Sequence, residues 1–341
     1  NPEATIQQAM KKLDKTAMKC LVVIDINEEL LGTLTDGDLR RAILGGVKFS
    51  DSINAWYNKD CKSLLDGKYT DDDIKQLLFT ERIDLIPIIN QQNKVINYVT
   101  ASYFGEIESI KSARSIPVAI MAGGKGTRME PFTKILPKPL IPIHNKPIIE
   151  HIIDSFRDVG CHDYYLSVNY KAKILKAYFE EADLDYKIEF IDELKPLGTA
   201  GSLKYLTGKI KTPFFVTNCD ILIKANYKTI FEFHIEGEYD ITLVASAKQY
   251  EIPYGTCKIN SEGHLSHIDE KPHYDFLINT GLYVLNPSVL NVIPENQFFH
   301  ITHLIEKIKN MGKRVGVFPI DDDSWIDIGQ WKEYKQALEV M

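Results

Sequence analysis

The feature that most restricts the fold is an alternation of apolar and amphipathic segments that begins at residue 116. Short apolar runs at 116–121, 163–170, 187–191 and 214–220 have the length and composition of buried strands. Segments with helical spacing at 148–159 and 172–181, and a third after 196–203, separate these runs. The series predicts a Rossmann-like α/β domain with a mixed, mainly parallel sheet over residues 116–341.

The N-terminal third contains an internal repeat. Residues 20–39 align without a gap on residues 85–104, and each copy is typical of a strand, a polar turn, a second strand and the start of a helix. The preceding helical patterns also match, because Ala9 and Leu13 align on Ile74 and Leu78. We therefore expect one small domain at 1–110, built from two similar halves and joined to the second domain by a polar segment at 106–115.

The first copy carries Thr35 and Asp38 at a strand-to-helix turn, where a hydroxyl and a carboxylate can hold the ribose of a nucleotide. The stretch LLGTLTDGDLRRAI resembles the CBS module, which occurs in tandem. The resemblance implies a tandem CBS (α+β) domain, a regulatory nucleotide at Thr35 and Asp38, and a homo-oligomer, either dimer or tetramer. In the second copy Tyr103 replaces the Asp. The alternative is that Asp38 only caps a helix that begins near Leu39.

A glycine-rich loop, AGGKGTRM, follows the first strand of the second domain. Glycines let backbone N–H groups approach a phosphate, although the spacing fits neither a Walker A loop nor a dinucleotide-binding turn. The longer stretch MAGGKGTRMEPFTKILPKPL resembles the signature of the sugar-1-phosphate nucleotidyltransferases. This resemblance implies catalytic roles for Arg128 and Lys138, and nucleotide contacts from Ala122, Gly123, Gly124, Gly126 and Thr127.

Two carboxylates are candidate metal ligands. Asp220 follows an apolar run in VTNCD, where a carboxylate is costly unless it is paired or bound to a cation. The family resemblance implies that Asp220 and Asp327, the latter in SWIDIG, hold Mg²⁺, which prefers one or two carboxylates together with substrate phosphates. Cys219 stands where the family has glycine, and we expect it to crowd the site slightly.

The other site residues lie in short motifs further along the chain. For the nucleotide, the resemblance implies Gly198 and Thr199 in KPLGTAGSL, and Asn169 at a strand end is a further candidate. For the sugar, Glu270 can accept hydrogen bonds from two hydroxyls and Lys271 can meet the sugar phosphate, with Lys271 also assigned to catalysis. The resemblance adds three sugar contacts: Gly255, Asn279 and Gly281.

These features predict an enzyme that transfers GMP from GTP to a sugar 1-phosphate by direct displacement at phosphorus, releasing pyrophosphate. The LGTAG motif resembles the guanylyltransferase branch. The combination of a tandem CBS unit with this transferase domain resembles the branch that makes GDP-glucosamine from glucosamine 1-phosphate for legionaminic acid biosynthesis. The alternatives are a mannose-1-phosphate guanylyltransferase, a glucose-1-phosphate thymidylyl- or uridylyltransferase, a molybdopterin-type guanylyltransferase and a non-catalytic nucleotide sensor.

Composition argues against several other classes of protein. The net charge of -7 argues against nucleic acid as a partner, and five cysteines without CxxC spacing indicate reduced thiols in a cytoplasmic protein. No apolar run approaches the ~20 residues of a membrane span, so no membrane partner is expected. No hexapeptide repeat occurs before Met341, so no acyltransferase region is expected. His300 and His303 lack an acidic ligand partner, and we interpret them as surface or cap residues.

Overall fold

The computed structural model describes residues 1–16, 18–81, 83–100, 115–182 and 184–340. Backbone contacts divide the chain into two compact units. The first contains the described residues of Asn1–Ser112 together with Ala247–Leu277, and the second contains those of Ala113–Ser246 and Ile278–Met341. The predicted domain boundary between 110 and 116 stays a prediction. Tyr103 and most of the predicted linker at 106–115 lie outside the described residues.

Strands are present at the four runs predicted for the second domain, and α-helices at two of the three predicted positions. The helices are α1 (Ile6–Thr16), α2 (Asp36–Leu44), α3 (Asp71–Lys75), α4 (Phe132–Ile135), α5 (Ile148–Arg157), α6 (Ala172–Glu180), α7 (Tyr227–Glu236), α8 (Ile301–Asn310) and α9 (Trp331–Val340). The strands are β1 (Cys20–Ile24), β2 (Leu30–Thr35), β3 (Leu64–Leu65), β4 (Leu85–Ile89), β5 (Val95–Thr100), β6 (Val118–Met121), β7 (Pro142–Ile143), β8 (Lys146–Pro147), β9 (Asp163–Val168), β10 (Lys187–Asp192), β11 (Phe214–Asn218), β12 (Ile221–Ile223), β13 (Ile241–Glu251), β14 (Thr256–Ile259), β15 (Leu265–Asp269), β16 (His273–Leu285), β17 (Val315–Asp321) and β18 (Trp325–Asp327).

The first unit repeats one strand pair in the same register. The β1–β2 pair and the β4–β5 pair are both antiparallel, and their bulges fall at the equivalent positions Val23/Ile24 and Ile88/Ile89. The turns also match, since the side chains of Asp25 and Asn90 each accept hydrogen bonds from the N–H groups two and four residues later. The four aligned helix positions are all buried: Ala9, Leu13, Ile74 and Leu78. The strand pairs, turns and preceding helix positions of the predicted repeat are therefore present in both halves, while the helix start expected at 101–104 lies outside the described residues.

A seven-stranded sheet organises the second unit, with the strand order β10-β9-β6-β11-β16-β13-β17. The pairs β10–β9, β9–β6 and β6–β11 are parallel, whereas β11 and β16 are antiparallel. Met121 is in register with Asn218 on one side and with Ser167 on the other. The carboxyl ends of β6, β9 and β11 therefore meet at one edge of the sheet, where ligands of such folds bind.

Two apolar layers cover this sheet. Helix α5 belongs to one layer through Ile149, Ile152, Ile153 and Phe156, whose spacing of three and four residues places them on one helix face. Helix α8 belongs to the other layer. The helix expected after 196–203 is instead a 3₁₀ helix, Gly201–Leu206. Its first residue, Gly201, packs closely on the backbone of Gln297, because a Cβ on Gly201 would be 2.7 Å from the Gln297 carbonyl oxygen.

His234 gives the second unit a pH-dependent stability. The side chain is buried in α7, Nδ1 lies 2.9 Å from Thr242 Oγ1, and burial lowers the pKa of the imidazole from 6.5 to about 4. Between these two pH values the unfolded chain binds more protons than the folded chain, so stability is lost as the pH falls through the window. Between pH 7 and pH 4, we expect the unfolding free energy of the wild type to fall by about 2–3 kcal/mol more than that of His234→Gln.

Urea denaturation followed by circular dichroism at several pH values measures this difference. His264→Gln is the control, because the side chain of His264 is exposed. It should keep the wild-type pH dependence. An unchanged pH dependence in His234→Gln would contradict the prediction.

Among the described residues, no helix has both the length and the apolar composition needed to cross a lipid bilayer.

Candidate active site

The glycine-rich loop leaves β6 at the edge of the sheet where β9 and β11 also end. Backbone N–H groups from Gly123 to Arg128 donate to no other described residue. Gly126 adopts a φ of 65°, and a Cβ there would lie 2.9 Å from Thr133 Cγ2. Lys125 and Arg128 are exposed on the same loop. A run of unpaired N–H groups flanked by cations is an arrangement that binds anions.

The short pair β12–β18 brings the two predicted metal carboxylates together. Ile221 is opposite Asp327 in this antiparallel pair, and the Ile328 N–H donates to the Asp220 carbonyl oxygen at 2.8 Å. The Lys138 ammonium is hydrogen-bonded to the Asp220 carboxylate, and both side chains are largely buried. Three residues far apart in sequence thus form one charged cluster, which we call the Lys138–Asp220–Asp327 cluster.

Gly329 is the point at which this cluster converges. A Cβ on Gly329 would lie 2.7 Å from Asp327 Oδ1, 3.1 Å from Asp220 Oδ2 and 3.1 Å from Lys138 Nζ. The Gly329 N–H also donates to Asp327 Oδ1 at 2.8 Å, which fixes that carboxylate. Only glycine leaves the space between the three charges open. The motif SWIDIG predicted a role for Asp327 but none for Gly329, which stands two residues later.

The cluster has the donor set of a magnesium site that shares its cation with a substrate. In the described part of the chain, no group of three or more His, Cys, Asp or Glu side chains gathers to hold a metal. Two carboxylates are what Mg²⁺ takes from a protein when phosphates supply other ligands. The Lys138 ammonium already lies against Asp220 as a cation. The residues therefore fit a divalent cation that arrives with phosphates.

Cys219 does not crowd the cluster in the expected way. Its side chain is buried in the apolar layer that contains Ile221 and Ile328. Burial, and secondarily the Asp220 carboxylate, raise the pKa of the thiol to about 12. Cys219 is therefore an uncharged core residue.

Glu193 is a buried carboxylate at the same sheet edge that the sequence analysis missed. The Ser167 hydroxyl donates to it, and so does the Leu197 N–H, at 2.9 Å. Asn169 donates to the Glu193 carbonyl oxygen at 2.7 Å. A Cβ on Gly123 would be 3.1 Å from Glu193 Oε1. Glu193 therefore links Asn169 to the start of the PLGTAG loop and lies close to the glycine-rich loop.

The PLGTAG loop packs closely on the segment before α8. Gly198 has a φ of 79°, and a Cβ there would lie 2.8 Å from the Phe299 carbonyl oxygen. The Thr199 hydroxyl accepts from the Ile301 N–H at 3.0 Å, so it helps to cap α8. His300 is the N-cap residue of that helix and its N–H donates to His303 Nδ1, as interpreted from the sequence.

The predicted sugar contacts fall in both units. Asn279 and Gly281 belong to the second unit, where Asn279 Oδ1 accepts from the Gly281 N–H at 3.0 Å and from the Tyr283 hydroxyl at 2.9 Å. Gly255, Glu270 and Lys271 belong to the first unit. A Cβ on Gly255 would lie 2.8 Å from Glu270 Oε2, so the absence of a side chain at 255 leaves room for the carboxylate.

Thr35 and Asp38 form a reciprocal capping box at the start of α2. Asp38 Oδ2 accepts from the Thr35 N–H at 2.8 Å and from its hydroxyl at 2.6 Å, while the Asp38 N–H donates back to Thr35 Oγ1. Asp38 therefore takes part in capping the helix, which leaves nucleotide binding at Thr35 and Asp38 as a prediction, and one expectation is corrected. The helix begins at Asp36, not near Leu39, because Thr35 is the N-cap and Asp38 the third helical residue.

Two known protein families match parts of this chain. The model of the nucleotidyl transferase family matches residues 118–340, which is more than half of the chain. The chain belongs to the nucleotidyl transferase family. A CBS domain matches residues 1–45 of this nucleotidyl transferase. The predicted fold class, a mixed and mainly parallel α/β sheet preceded by a CBS domain, is thereby confirmed.

Relatives of this nucleotidyl transferase include mannose-1-phosphate guanyltransferases. Those of Aspergillus oryzae and Pichia angusta are 36% and 35% identical over 226 and 229 residues, which is 63% and 64% of this chain. The matches span 61% and 62% of those relatives, which is less than two thirds of their length. The crystal structure of HddC from Yersinia pseudotuberculosis has 27% identity and a TM-score of 0.52, covering 66% of this chain and 99% of that one. A second HddC structure, complexed with GMP-PN, has 26% identity and a TM-score of 0.51, covering 66% and 99%.

Proposed function

We propose that this nucleotidyl transferase moves GMP from GTP to a sugar 1-phosphate, giving a GDP-sugar and pyrophosphate. The observation that carries the proposal is the convergence of Lys138, Asp220 and Asp327 on Gly329. This cluster follows strand β11, beside a strand that ends in a loop of unpaired N–H groups. The arrangement supplies separate groups for the triphosphate and for the charge that develops during phosphoryl transfer.

In the proposed mechanism the chain binds and orients phosphates and needs no covalent intermediate. The N–H groups of the glycine-rich loop and the Arg128 guanidinium hold the triphosphate, and Lys138 stabilises negative charge at the reacting phosphate. Asp220 and Asp327 would hold Mg²⁺, which when bound neutralises phosphate charge. Lys271 is assigned to the phosphate of the attacking sugar. Cys219 is excluded as a nucleophile, since its thiol is buried and protonated.

Two observations support guanine as the base. The quoted relatives are guanyltransferases by name, and the HddC complex holds GMP-PN. In this chain Ala122, Gly123, Asn169, Gly198 and Thr199 are the residues assigned to the nucleoside. Glu193 holds this region in place through Ser167 and Leu197.

For the sugar, the names of the relatives favour mannose 1-phosphate, which was an alternative in the sequence analysis. Glucosamine 1-phosphate is the second candidate, because the combination of CBS and transferase domains led to it. The link to legionaminic acid biosynthesis depends on that combination alone and stays a prediction. A regulatory nucleotide at Thr35 and Asp38, a homo-oligomer and a cytoplasmic location also stay predictions.

The test is release of pyrophosphate by the full chain, with each of the four nucleoside triphosphates against mannose, glucosamine and glucose 1-phosphates. We expect GTP to be used at least about tenfold better than the other triphosphates, since each hydrogen bond left unmade by a wrong base costs about 1–3 kcal/mol. Chelation of Mg²⁺ by EDTA should abolish turnover, and added MgCl₂ should restore it.

Each outcome of this assay decides between the candidates. Preference for thymidine or uridine triphosphate would overturn the guanylyl assignment while leaving the reaction class intact. Binding of GTP without pyrophosphate release from any sugar phosphate would favour the nucleotide sensor instead. Turnover that survives complete metal removal would contradict the role given to Asp220 and Asp327.

A further inference from the structure

Residues 247–277 leave the second unit and belong to the first. The chain enters this segment along β13 and returns along β16, and both strands are members of the seven-stranded sheet. The segment carries Gly255, Glu270 and Lys271, which the proposed function assigns to the sugar 1-phosphate. Contacts that fix this segment therefore also fix the three residues assigned to the sugar.

Asp275 is hydrogen-bonded to two parts of the first unit. Its Oδ2 accepts from the backbone N–H of Phe49 at 3.0 Å, and its Oδ1 accepts from the side-chain amide of Gln249 at 2.8 Å. Phe49 is buried, and its carbonyl oxygen accepts from the Gln7 N–H at 3.1 Å, at the start of α1. One carboxylate thus links the two ends of the segment to a loop that is fixed on the N-terminal repeat.

Apolar packing also holds residues 247–277 beside Phe49. Ala247 is buried in one cluster with Phe49, Ile53 and other residues of the N-terminal repeat. The Ile252 N–H donates to the Pro272 carbonyl oxygen at 3.0 Å, which joins the two sides of the segment next to Lys271. The base of the segment is therefore held by an apolar contact and by hydrogen bonds.

The far end of the segment lacks comparable burial. The hairpin β14–β15 exposes Ile259, Leu265 and Ile268, at 70%, 57% and 52%. A two-stranded hairpin with so little burial is only marginally stable by itself. The positions of Glu270 and Lys271 consequently depend on how the base of the segment is held.

We propose that Asp275 is a positioning residue, through which the N-terminal repeat fixes the sugar-binding segment and sets the affinity for the sugar 1-phosphate. The inference rests on the proposed function, because that function places Glu270 and Lys271 at the sugar. Asp275 lies outside the glycine-rich loop and outside the Lys138–Asp220–Asp327 cluster. Its loss should therefore change recognition of one substrate and leave the other nearly unaffected.

The experiment compares Asp275→Ala and Asp275→Asn with wild type in the full chain. We expect Asp275→Ala to raise the KM for the sugar 1-phosphate about tenfold, with changes below about twofold in the KM for GTP, since both charge-assisted hydrogen bonds are lost. Asp275→Asn keeps one acceptor oxygen and should give an intermediate KM. Glu262→Ala is the control, because it removes an exposed carboxylate from the same segment. It should leave both KM values unchanged.

An unchanged KM for the sugar 1-phosphate in Asp275→Ala would overturn the inference, and so would equal increases in both KM values. Hydrogen–deuterium exchange provides a second readout that needs no turnover. Asp275→Ala should speed exchange in peptides covering 252–277 while the strands β6, β9 and β11 keep wild-type protection. If wild type releases no pyrophosphate, the proposed function fails. Unchanged hydrogen exchange in residues 252–277 of Asp275→Ala would separately show that Asp275 does not fix this segment.

Discussion

Asp220→Asn is expected to lower kcat by about a thousandfold or more, because it removes a charge that binds the cation and pairs with the ammonium of Lys138. Asparagine has nearly the same shape and can still accept a hydrogen bond from Lys138. The fold should therefore persist. Pyrophosphate release under saturating substrates measures kcat, and far-ultraviolet circular dichroism checks the fold.

Asp240→Asn is the matched control for this variant. Asp240 also pairs with a lysine, Lys313, at 2.7 Å, and both side chains are partly buried. This pair lies at the other end of the sheet from the cluster, because the Asn286 N–H donates to the Asp240 carbonyl oxygen and Leu285 is opposite Phe214, the first residue of β11. Asp240→Asn should therefore lose stability without a comparable loss in kcat. If Asp220→Asn kept a tenth or more of the wild-type kcat, the assignment of Asp220 as a metal ligand would be wrong.

Lys138→Met should lower kcat by about a hundredfold to a thousandfold, since the methionine keeps much of the length of the side chain but removes the charge. It also leaves two carboxylates facing each other around Gly329 with no cation between them. Like charges in such a site favour any added cation. We therefore expect MgCl₂ to raise the melting temperature of Lys138→Met by more than it raises that of wild type.

Lys313→Met removes the other half of the control pair and should show neither effect. Differential scanning fluorimetry with and without MgCl₂ provides the stability readout, and the pyrophosphate assay provides kcat. A Lys138→Met enzyme with wild-type kcat and a raised KM for GTP alone would assign Lys138 to substrate binding only.

Sequence patterns were sufficient to predict those strands and turns whose structure is determined by residues close together in the sequence. The gapless repeat predicted both strand pairs of the first unit, because strand length and turn residues are read from the same short segment. The strands β6, β9, β10 and β11 were predicted for the same reason. Spacing alone could not place Asp220 beside Asp327, since β12 and β18 meet only through the fold. The family resemblance supplied that pair.

Glu193, Gly329 and the grouping of residues 247–277 show what the sequence did not reveal. Glu193 follows a strand among polar residues, and only its burial against Ser167 separates it from a solvated loop residue. Gly329 matters because of the three charged atoms around it, two of which, on Asp220 and Lys138, come from distant segments. The grouping of 247–277 with the N-terminal repeat depends on contacts such as Phe49 with Asp275. Such contacts between residues far apart in sequence leave no periodic signal.

The ion pair between Lys138 and Asp220 also has a consequence for the order in which ligands arrive. A chain with a net charge of -7 attracts divalent cations. Two carboxylates without a paired cation would bind any of them. Here the Lys138 ammonium already neutralises Asp220, so a free cation that displaced the lysine would gain little binding free energy. A cation that arrives with a triphosphate offers the displaced ammonium a new anionic partner. If Asp220 and Asp327 hold Mg²⁺ as proposed, the Lys138–Asp220 pair would favour binding of the metal–nucleotide complex over binding of the metal alone.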